Sequence, residues 1–507
     1  MHEFGLTTDW LRARTLASPE ALAVITEGSA YTFRELDAMV SRLCGRLRQE
    51  GVVAGDHIAI LMPNSLAAVC AIFAMGRLGT IAVPLNTRLT QGEIAWQMKR
   101  ADCNRMLCSP TIEPVATEVA AATGLPLHIF PETPAEWEAW LTILPMPPEA
   151  TLSSQDLSSL QAIQFTSGTT GFPKGAMITY ANHLWGAMGS AYKLGVQAND
   201  RWLVCMPLFH VGGMAILFRS CLYGTAVVLQ QGFDEAAVLH SLAAEKITLI
   251  SLVPTMLKRL LDANLNVDHA PDLRLILLGG AAAPASLLES AFDAKLPVAV
   301  TYGLTEAASQ VATMRPTEAC AKPGSPGRPL LFSDIKIVDE NGTMTAAGQP
   351  GEVVVRGPSV MAGYYADEAA TYAALRDGRL HTGDIGYLDD DGDLWILNRR
   401  SDLIVSGGEN IYPAEIERVL RTNPHVVEAS VVGLPHPIWG QQAAALVQLD
   451  MPGAIDENEL LSYCRQSLAG YKQPRLLAFI DEMPMTGSGK IHRHAVLEFL
   501  SNSIKQP

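Results

Sequence analysis

Phe165-Thr166-Ser167-Gly168-Thr169-Thr170-Gly171-Phe172-Pro173-Lys174-Gly175 sets hydroxyls, glycines and one ammonium in a single short stretch. Thr166, Ser167, Thr169 and Thr170 can each donate an O–H, the glycines let backbone N–H groups come close to a ligand, and Lys174 adds a cation. That set suits a polyphosphate. It is not a Walker loop, because Gly175 follows Lys174 where a magnesium-holding Ser or Thr would stand. On composition alone, a surface turn rich in Ser, Gly and Thr is the competing reading.

The order of these residues resembles the phosphate loop of the adenylate-forming superfamily, which holds acyl- and aryl-CoA ligases, luciferases and the adenylation domains of peptide synthetases. The resemblance implies an α/β fold in three parts. Residues 1–398 form a large N-terminal domain with parallel-rich sheets and a small β subdomain, 399–402 a hinge, and 403–507 a small, mobile α+β C-terminal lid.

Size and charge agree with such an enzyme. A chain of 507 residues is too long for one compact core, and 48% hydrophobic with 18% charged residues describes globular material. A net charge of −15 argues against nucleic acid or an anionic membrane as partner, so phosphate must be met by local cations. The eight cysteines are scattered, with no pair at zinc spacing, which fits a reducing cytoplasm. Met1-His2-Glu3-Phe4-Gly5 lacks the apolar core of an export signal. Leu66 to Leu85 is broken by Arg77 and two glycines, so no integral membrane association is expected. The oligomeric state, including a homo-oligomer, stays open.

Along the chain, Asp9 to Arg14 and Phe33 to Glu50 read as amphipathic helices. His57 to Met62, an apolar helix to Leu78 and Thr80 to Pro84 read as a βαβ unit. Residues 110–158, rich in Pro, Glu and Ala, carry little that is legible. Gln161 to Phe165 is the strand that delivers the phosphate loop. Arg201 to Met206 is another strand, ending at Pro207-Leu208-Phe209-His210-Val211-Gly212-Gly213. His210 thus stands past a strand end, where open α/β sheets bind ligands, or is simply a solvated loop residue. Arg219 interrupts the apolar helix Met214 to Leu222, and a charge there needs a partner or a route to water. Its two readings are snorkelling and a contact with a second carboxylate on the substrate.

Leu273 to Leu278 runs into Gly279-Gly280-Ala281-Ala282-Ala283-Pro284, a strand opening into a loop small enough at Gly280 and Ala281 for a flat ring to lie on its backbone. Tyr302-Gly303-Leu304-Thr305-Glu306 follows at the family's spacing: Tyr302 offers an aromatic face for adenine, Thr305 a hydroxyl for the α-phosphate and Glu306 an oxygen ligand for Mg²⁺. Residues 331–357 alternate as a small antiparallel sheet. Asp384, in His381-Thr382-Gly383-Asp384, resembles the family's ribose-binding aspartate. The resemblance also makes His210 a wall of the acyl pocket, Arg399 a nucleotide contact, Ser401 the pivot of the hinge and Lys490, in Thr486-Gly487-Ser488-Gly489-Lys490, the lysine that enters the site during adenylation. Ser401 departs from the Asp or Lys common at that position. Arg88, Gly408, Trp439, Lys472 and Arg475 match places where CoA-ligase relatives meet CoA.

The implied activity is ATP-dependent activation of a small carboxylic acid as an acyl-adenylate, then transfer to the thiol of CoA. No enzyme nucleophile is needed for that chemistry. Lys490, Thr305 and Mg²⁺ on Glu306 would stabilise charge gathering on phosphorus. The stretches around His210, Leu217-Phe218-Arg219-Ser220 and Thr305 to Gln310 resemble most the CoA ligases of menaquinone biosynthesis, whose acid has one aliphatic carboxylate to activate and one aromatic carboxylate to bind. Arg219 would hold the second, with Ser309 as hydrogen-bond partner. The alternatives are a CoA ligase for a fatty or aryl monocarboxylate, a stand-alone adenylation module, and a non-catalytic nucleotide-binding protein.

Overall fold

The computed structural model describes residues 8–144, 156–166, 172–398, 403–484 and 491–503. It divides into two compact units, one of Met1–Thr87, Met98–Gln164 and Gly175–Leu397, the other of Arg88–Gln97, Phe165–Lys174 and Asn398–Pro507.

Short apolar runs alternating with helices build two parallel-rich sheets. One has six strands in the order Leu127–Ile129, Arg105–Cys108, His57–Leu61, Ile81–Pro84, Leu160–Thr166, Lys174–Thr179. The other has eight, and its six inner strands, from Val298–Leu304 through Leu275–Leu278, Leu249–Leu252, Arg201–Val204 and Ala226–Leu229 to Leu22–Thr26, run parallel. Only the edge strands Ser309–Thr313 and Ser29–Thr32 are antiparallel to their neighbours. Strands covered on both faces need no polar alternation, and every residue of Leu275–Leu278 is buried.

The helix Leu66–Leu78 is buried along its whole length, Arg77 included. That arginine neither snorkels nor faces water. Its guanidinium meets Asp9 at 2.7 Å and also Asp37, and all three residues are buried. A buried cation is tolerated only with such partners, and this one ties together the helices Trp10–Ala17, Phe33–Gln49 and Leu66–Leu78. Within 110–158, where the sequence was uninformative, the structure has helices Glu113–Thr123 and Pro134–Thr142 around the short strand Leu127–Ile129.

The antiparallel sheet expected at 331–357 is present and reaches further. Asp334–Val338, Gly351–Arg356 and Arg379–Leu388 pair antiparallel, with Leu375–Arg376 and Leu394–Asn398 beside the last. The second unit has its own sheet, Glu409–Ile411, Ile404–Ser406, Gly440–Leu449 and Val426–His436 in that order, with Leu476–Ile480 parallel to Gly440–Leu449. Helices Pro413–Arg421, Glu457–Arg465 and Arg493–Ser503 complete it. Pro413 opens the first of these and Glu415 lies in its first turn, as a helix start favours. Among the described residues, no helix is long and apolar enough to cross a membrane.

Candidate active site

The site in the first unit is built where parallel strands end. Val298–Leu304 leads into the single turn Thr305–Ala307 and returns as Ser309–Thr313. A Cβ on Gly303 would lie 1.7 Å from the Ser309 carbonyl oxygen, so only glycine fits there. Ala308 and Ser309 adopt φ of +50° and +100°, left-handed values that cost a non-glycine residue about 1–3 kcal/mol each. Strain of this kind gathers at ligand sites, where it holds a backbone in one working shape.

Three residues singled out separately in the sequence acquire defined partners here. The Tyr302 hydroxyl donates to Asp384 Oδ2 at 2.6 Å, with both residues buried. The Asp384 amide donates in turn to Thr382 Oγ1 at 3.1 Å, and the Thr382 hydroxyl to the Val353 carbonyl at 2.7 Å. Glu306 Oε1 accepts from the Tyr364 hydroxyl at 2.8 Å, and its carbonyl accepts the Met361 amide at 2.9 Å. The carboxylate is a hard oxygen donor with a fixed orientation, which fits a magnesium ion. After Leu275–Leu278 the chain turns through Gly279 and Gly280, the latter at φ +81°. A Cβ on Gly279 would stand 2.6 Å from Thr301 Cγ2, so the turn that carries Gly280 and Ala281 passes close against the strand of Tyr302.

His210 caps the helix Val211–Tyr223 without a side-chain capping bond, its ring 4.5 Å from that of Phe209. The loop before it is held by Asn64, which the sequence analysis did not single out. Asn64 Oδ1 accepts the Leu208 amide at 2.8 Å, and its Nδ2 donates to the carbonyls of Met206 and Gln230 at 2.9 and 3.0 Å. The available signal was Pro63-Asn64 directly after a buried strand. Gly213 lets the helix approach that loop, since a Cβ there would meet the Pro207 carbonyl oxygen at 2.2 Å.

Two and a half turns along the same helix, Arg219 is 2% exposed. It does not snorkel. Neither its Nε nor its Nη2 has a hydrogen-bond partner among the described residues, and its guanidinium lies 5.8 Å from the Trp202 ring. Burial pushes its pKa down from the usual arginine value. An arginine placed this way lacks an anionic partner among the described residues. The helix packs on Ser309–Thr313, but no hydrogen bond links Ser309 to Arg219.

In the second unit, Thr166 ends one strand and Lys174 begins the next, flanking the phosphate loop. Gly407 and Gly408 both have positive φ, and Trp439 covers that turn: its carbonyl accepts the Gly407 amide at 2.9 Å, and a Cβ on Gly407 would stand 2.9 Å from Trp439 Cε3. Trp439 thus packs against the residue next to Gly408. Arg88 lies 3.2 Å from Glu409 and over the Tyr471 ring at 4.8 Å, and Arg475 is exposed. Lys472, expected near CoA, is paired within the protein. It is 3% exposed, its Nζ donating to Glu93 at 2.6 Å and Glu415 at 2.7 Å. An ammonium enclosed by two carboxylates has its charge already met in this structure. Ser167, Gly168, Thr169, Thr170, Gly171, Arg399, Ser401 and Lys490 lie outside the described residues.

The chain is similar to known proteins over nearly its whole length. The 2-succinylbenzoate–CoA ligase of Bacillus licheniformis is 43% identical over 487 residues, which is 96% of this chain and 98% of that one. Among solved structures, a double mutant of o-succinylbenzoate CoA synthetase from Bacillus subtilis, bound to a product analogue, superposes with a TM-score of 0.90 at 38% identity, covering 97% of this chain and 98% of that one. The same enzyme with ATP and magnesium gives a TM-score of 0.72 at 37% identity over 97% and 99% of the two chains. The profile of the AMP-binding enzymes matches residues 11–365, and that of the AMP-binding enzyme C-terminal domain matches 415–490. With strand-end loops of the matching chemistry and both profiles satisfied, the chain belongs to the AMP-binding enzyme family.

Proposed function

We propose that this protein is a 2-succinylbenzoate–CoA ligase of menaquinone biosynthesis. It uses ATP, Mg²⁺ and CoA and works in the cytoplasm, where ATP and CoA are supplied. The observation that carries the choice of acid is Arg219, a guanidinium buried in an apolar helix with Nε and Nη2 unpartnered among the described residues. A monocarboxylate would give that cation nothing to meet. An aromatic carboxylate, reaching down the helix while the aliphatic one stays near His210, would.

The chemistry runs in two steps. The aliphatic carboxylate attacks the α-phosphorus of ATP, the bond to the bridging oxygen breaks, and pyrophosphate leaves. The thiol of CoA then loses its proton and attacks the carbonyl of the acyl-adenylate, and AMP departs with the electron pair of the acyl C–O bond. Neither step needs a covalent enzyme intermediate. What the protein supplies is position and charge. Tyr302 and Asp384 would orient adenosine, Thr305 would donate to the α-phosphate, and Thr166, Lys174 and the loop between them would hold the departing phosphates. A magnesium ion on Glu306 would supply positive charge at the phosphate oxygens. Lys490, Arg399 and the pivot Ser401 take the roles given to them by the family pattern. Gly408, Trp439, Arg88 and Arg475 are the candidates for contacts with CoA.

The test is pyrophosphate release with ATP, Mg²⁺ and CoA, comparing 2-succinylbenzoate with benzoate and a medium-chain fatty acid. A strong preference for 2-succinylbenzoate is expected. Preference for a monocarboxylate would keep the two-step mechanism and remove both the pathway and the role of Arg219.

A further inference from the structure

Arg219 is not the only under-satisfied polar group in its surroundings. The next residue, Ser220, is 2% exposed and its Oγ has no partner among the described residues. His183, on the neighbouring helix Tyr180–Leu194, is 3% exposed, and its ring packs against Phe218 with centroids 4.6 Å apart. His183 Nε2 lies 3.1 Å from Gln161 Oε1, and Gln161, 1% exposed on the strand that leads to the phosphate loop, has no partner for its Nε2 among the described residues. A carboxamide, an imidazole and a guanidinium, drawn from a strand and two helices, thus share one apolar region with hydrogen-bonding capacity left over. Polar groups buried in this state are costly, and a water, an ion or a ligand group that meets them recovers part of that cost.

The charge state of the imidazole bears on what that ligand is. Burial, and then the nearby Arg219 cation, push the pKa of His183 down to about 3, so it is neutral at working pH. A neutral imidazole leaves Arg219 as the local net charge. An acidic residue in its place would cancel that charge, and a cationic one would add a second cation with no counter-ion. The region is suited to one compact monoanion.

We propose that Gln161 and His183 are positioning residues for the ligand of Arg219: the hydrogen-bonded pair fixes the imidazole and its dipole near the guanidinium, ready for the second carboxylate of the acid, and so contributes to the preference for a dicarboxylate. This rests on the reading of Arg219 given above. The pair does not touch the reacting carboxylate, and its effect belongs to binding of one acid over another and not to the rate of adenylation.

The test uses the full-length enzyme with two acids, 2-succinylbenzoate and 3-benzoylpropionate, which keeps the aliphatic carboxylate and the ring but lacks the aromatic carboxylate. Gln161→Met and His183→Asn are assayed with Arg219→Met in parallel, and melting curves confirm that each variant folds. Expected for the pair variants is a rise of roughly tenfold in KM for 2-succinylbenzoate, with kcat within about threefold and no change in KM for 3-benzoylpropionate, because one weakened contact to a charged group is worth about that factor. Equal changes for both acids would mean that the pair only supports packing, and the proposal would fail. If Arg219→Met collapses the preference while the pair variants do not, the positioning role alone is wrong. If Arg219→Met also leaves the preference intact, the reading of the pocket itself is wrong. Should His183→Asn not fold, Gln161→Met decides.

Discussion

The Tyr302 hydroxyl and the Asp384 carboxylate, 82 residues apart in sequence, are joined by a hydrogen bond of 2.6 Å in a buried setting. The residue expected to face adenine therefore also orients the residue expected to hold the ribose. Tyr302→Phe keeps the ring and removes the tether. A hydrogen bond to a charged group is worth about 1.5–3 kcal/mol, so KM for ATP should rise on the order of tenfold or more, with kcat much less affected. Pyrophosphate exchange into ATP reads this directly. Adding Asp384→Asn should produce less than the sum of the two single effects. Fully additive effects would show that the bond does not couple the two residues.

How far the site was legible in the sequence depends on the distance over which each signal acts. The strand ends carrying Gly280, Tyr302 and His210 could be read because apolar runs closed by glycine are local patterns. Arg219 could be flagged because a charge within an apolar helix is conspicuous wherever it points. The role of Lys472 could not be seen, because one of its carboxylates, Glu93, lies 379 residues away. The helix Glu113–Thr123 was missed for a different reason: only Ala116 and Val119 of its residues are buried, so it has little apolar periodicity to detect.

Lys322 binds Asp389 and Asp391 at 2.7 Å and Asp393 at 2.5 Å, and oxygens of the three carboxylates lie within 4.8 Å of one another. Burial alone would raise the pKa of Asp389, but hydrogen bonds from Lys322 and Trp395 hold it well below the ordinary carboxylate range. A depressed carboxylate stabilises the fold above its ordinary pKa, and that contribution is lost as pH falls through the folded value. Lys322→Met leaves the aspartates without their cation. The variant should then be stabilised by calcium at about millimolar concentration, a hard cation suited to clustered oxygens, while the parent protein is not. Melting curves with and without calcium decide. An equal response in both proteins would mean that Lys322 does not neutralise the cluster.

Arg219→Met separates stability from selectivity. Replacing a buried, under-partnered cation with an apolar side chain of similar length should leave the ligand-free protein unchanged or more stable, by up to about 1–4 kcal/mol, as seen when buried ionic groups are exchanged for apolar ones. The same variant should lose most of its preference for 2-succinylbenzoate. Denaturant unfolding without ligand measures the first effect. A marked loss of stability would mean that Arg219 has an internal counter-charge and is not held ready for a substrate.

Lys472 should show the opposite behaviour. Burial by itself would lower its pKa, but Glu415 and Glu93 more than offset this and hold it above the usual lysine value, so it stays charged. Burial raises the pKa of Glu415, with Lys472 pulling the other way. Lys472→Met removes that pull and leaves two enclosed carboxylates facing each other, a loss of about 3–5 kcal/mol near neutral pH. A carboxylate whose folded pKa is raised contributes most to stability below its ordinary value, and the contribution is lost as pH rises through the folded value. The variant should therefore lose stability as pH rises above the ordinary carboxylate range, because protonation at lower pH relieves the repulsion. Denaturant midpoints measured across that rise check both the size of the loss and its slope. A loss that does not vary with pH would mean that Lys472 contributes through the packing of its side chain and not through its charge.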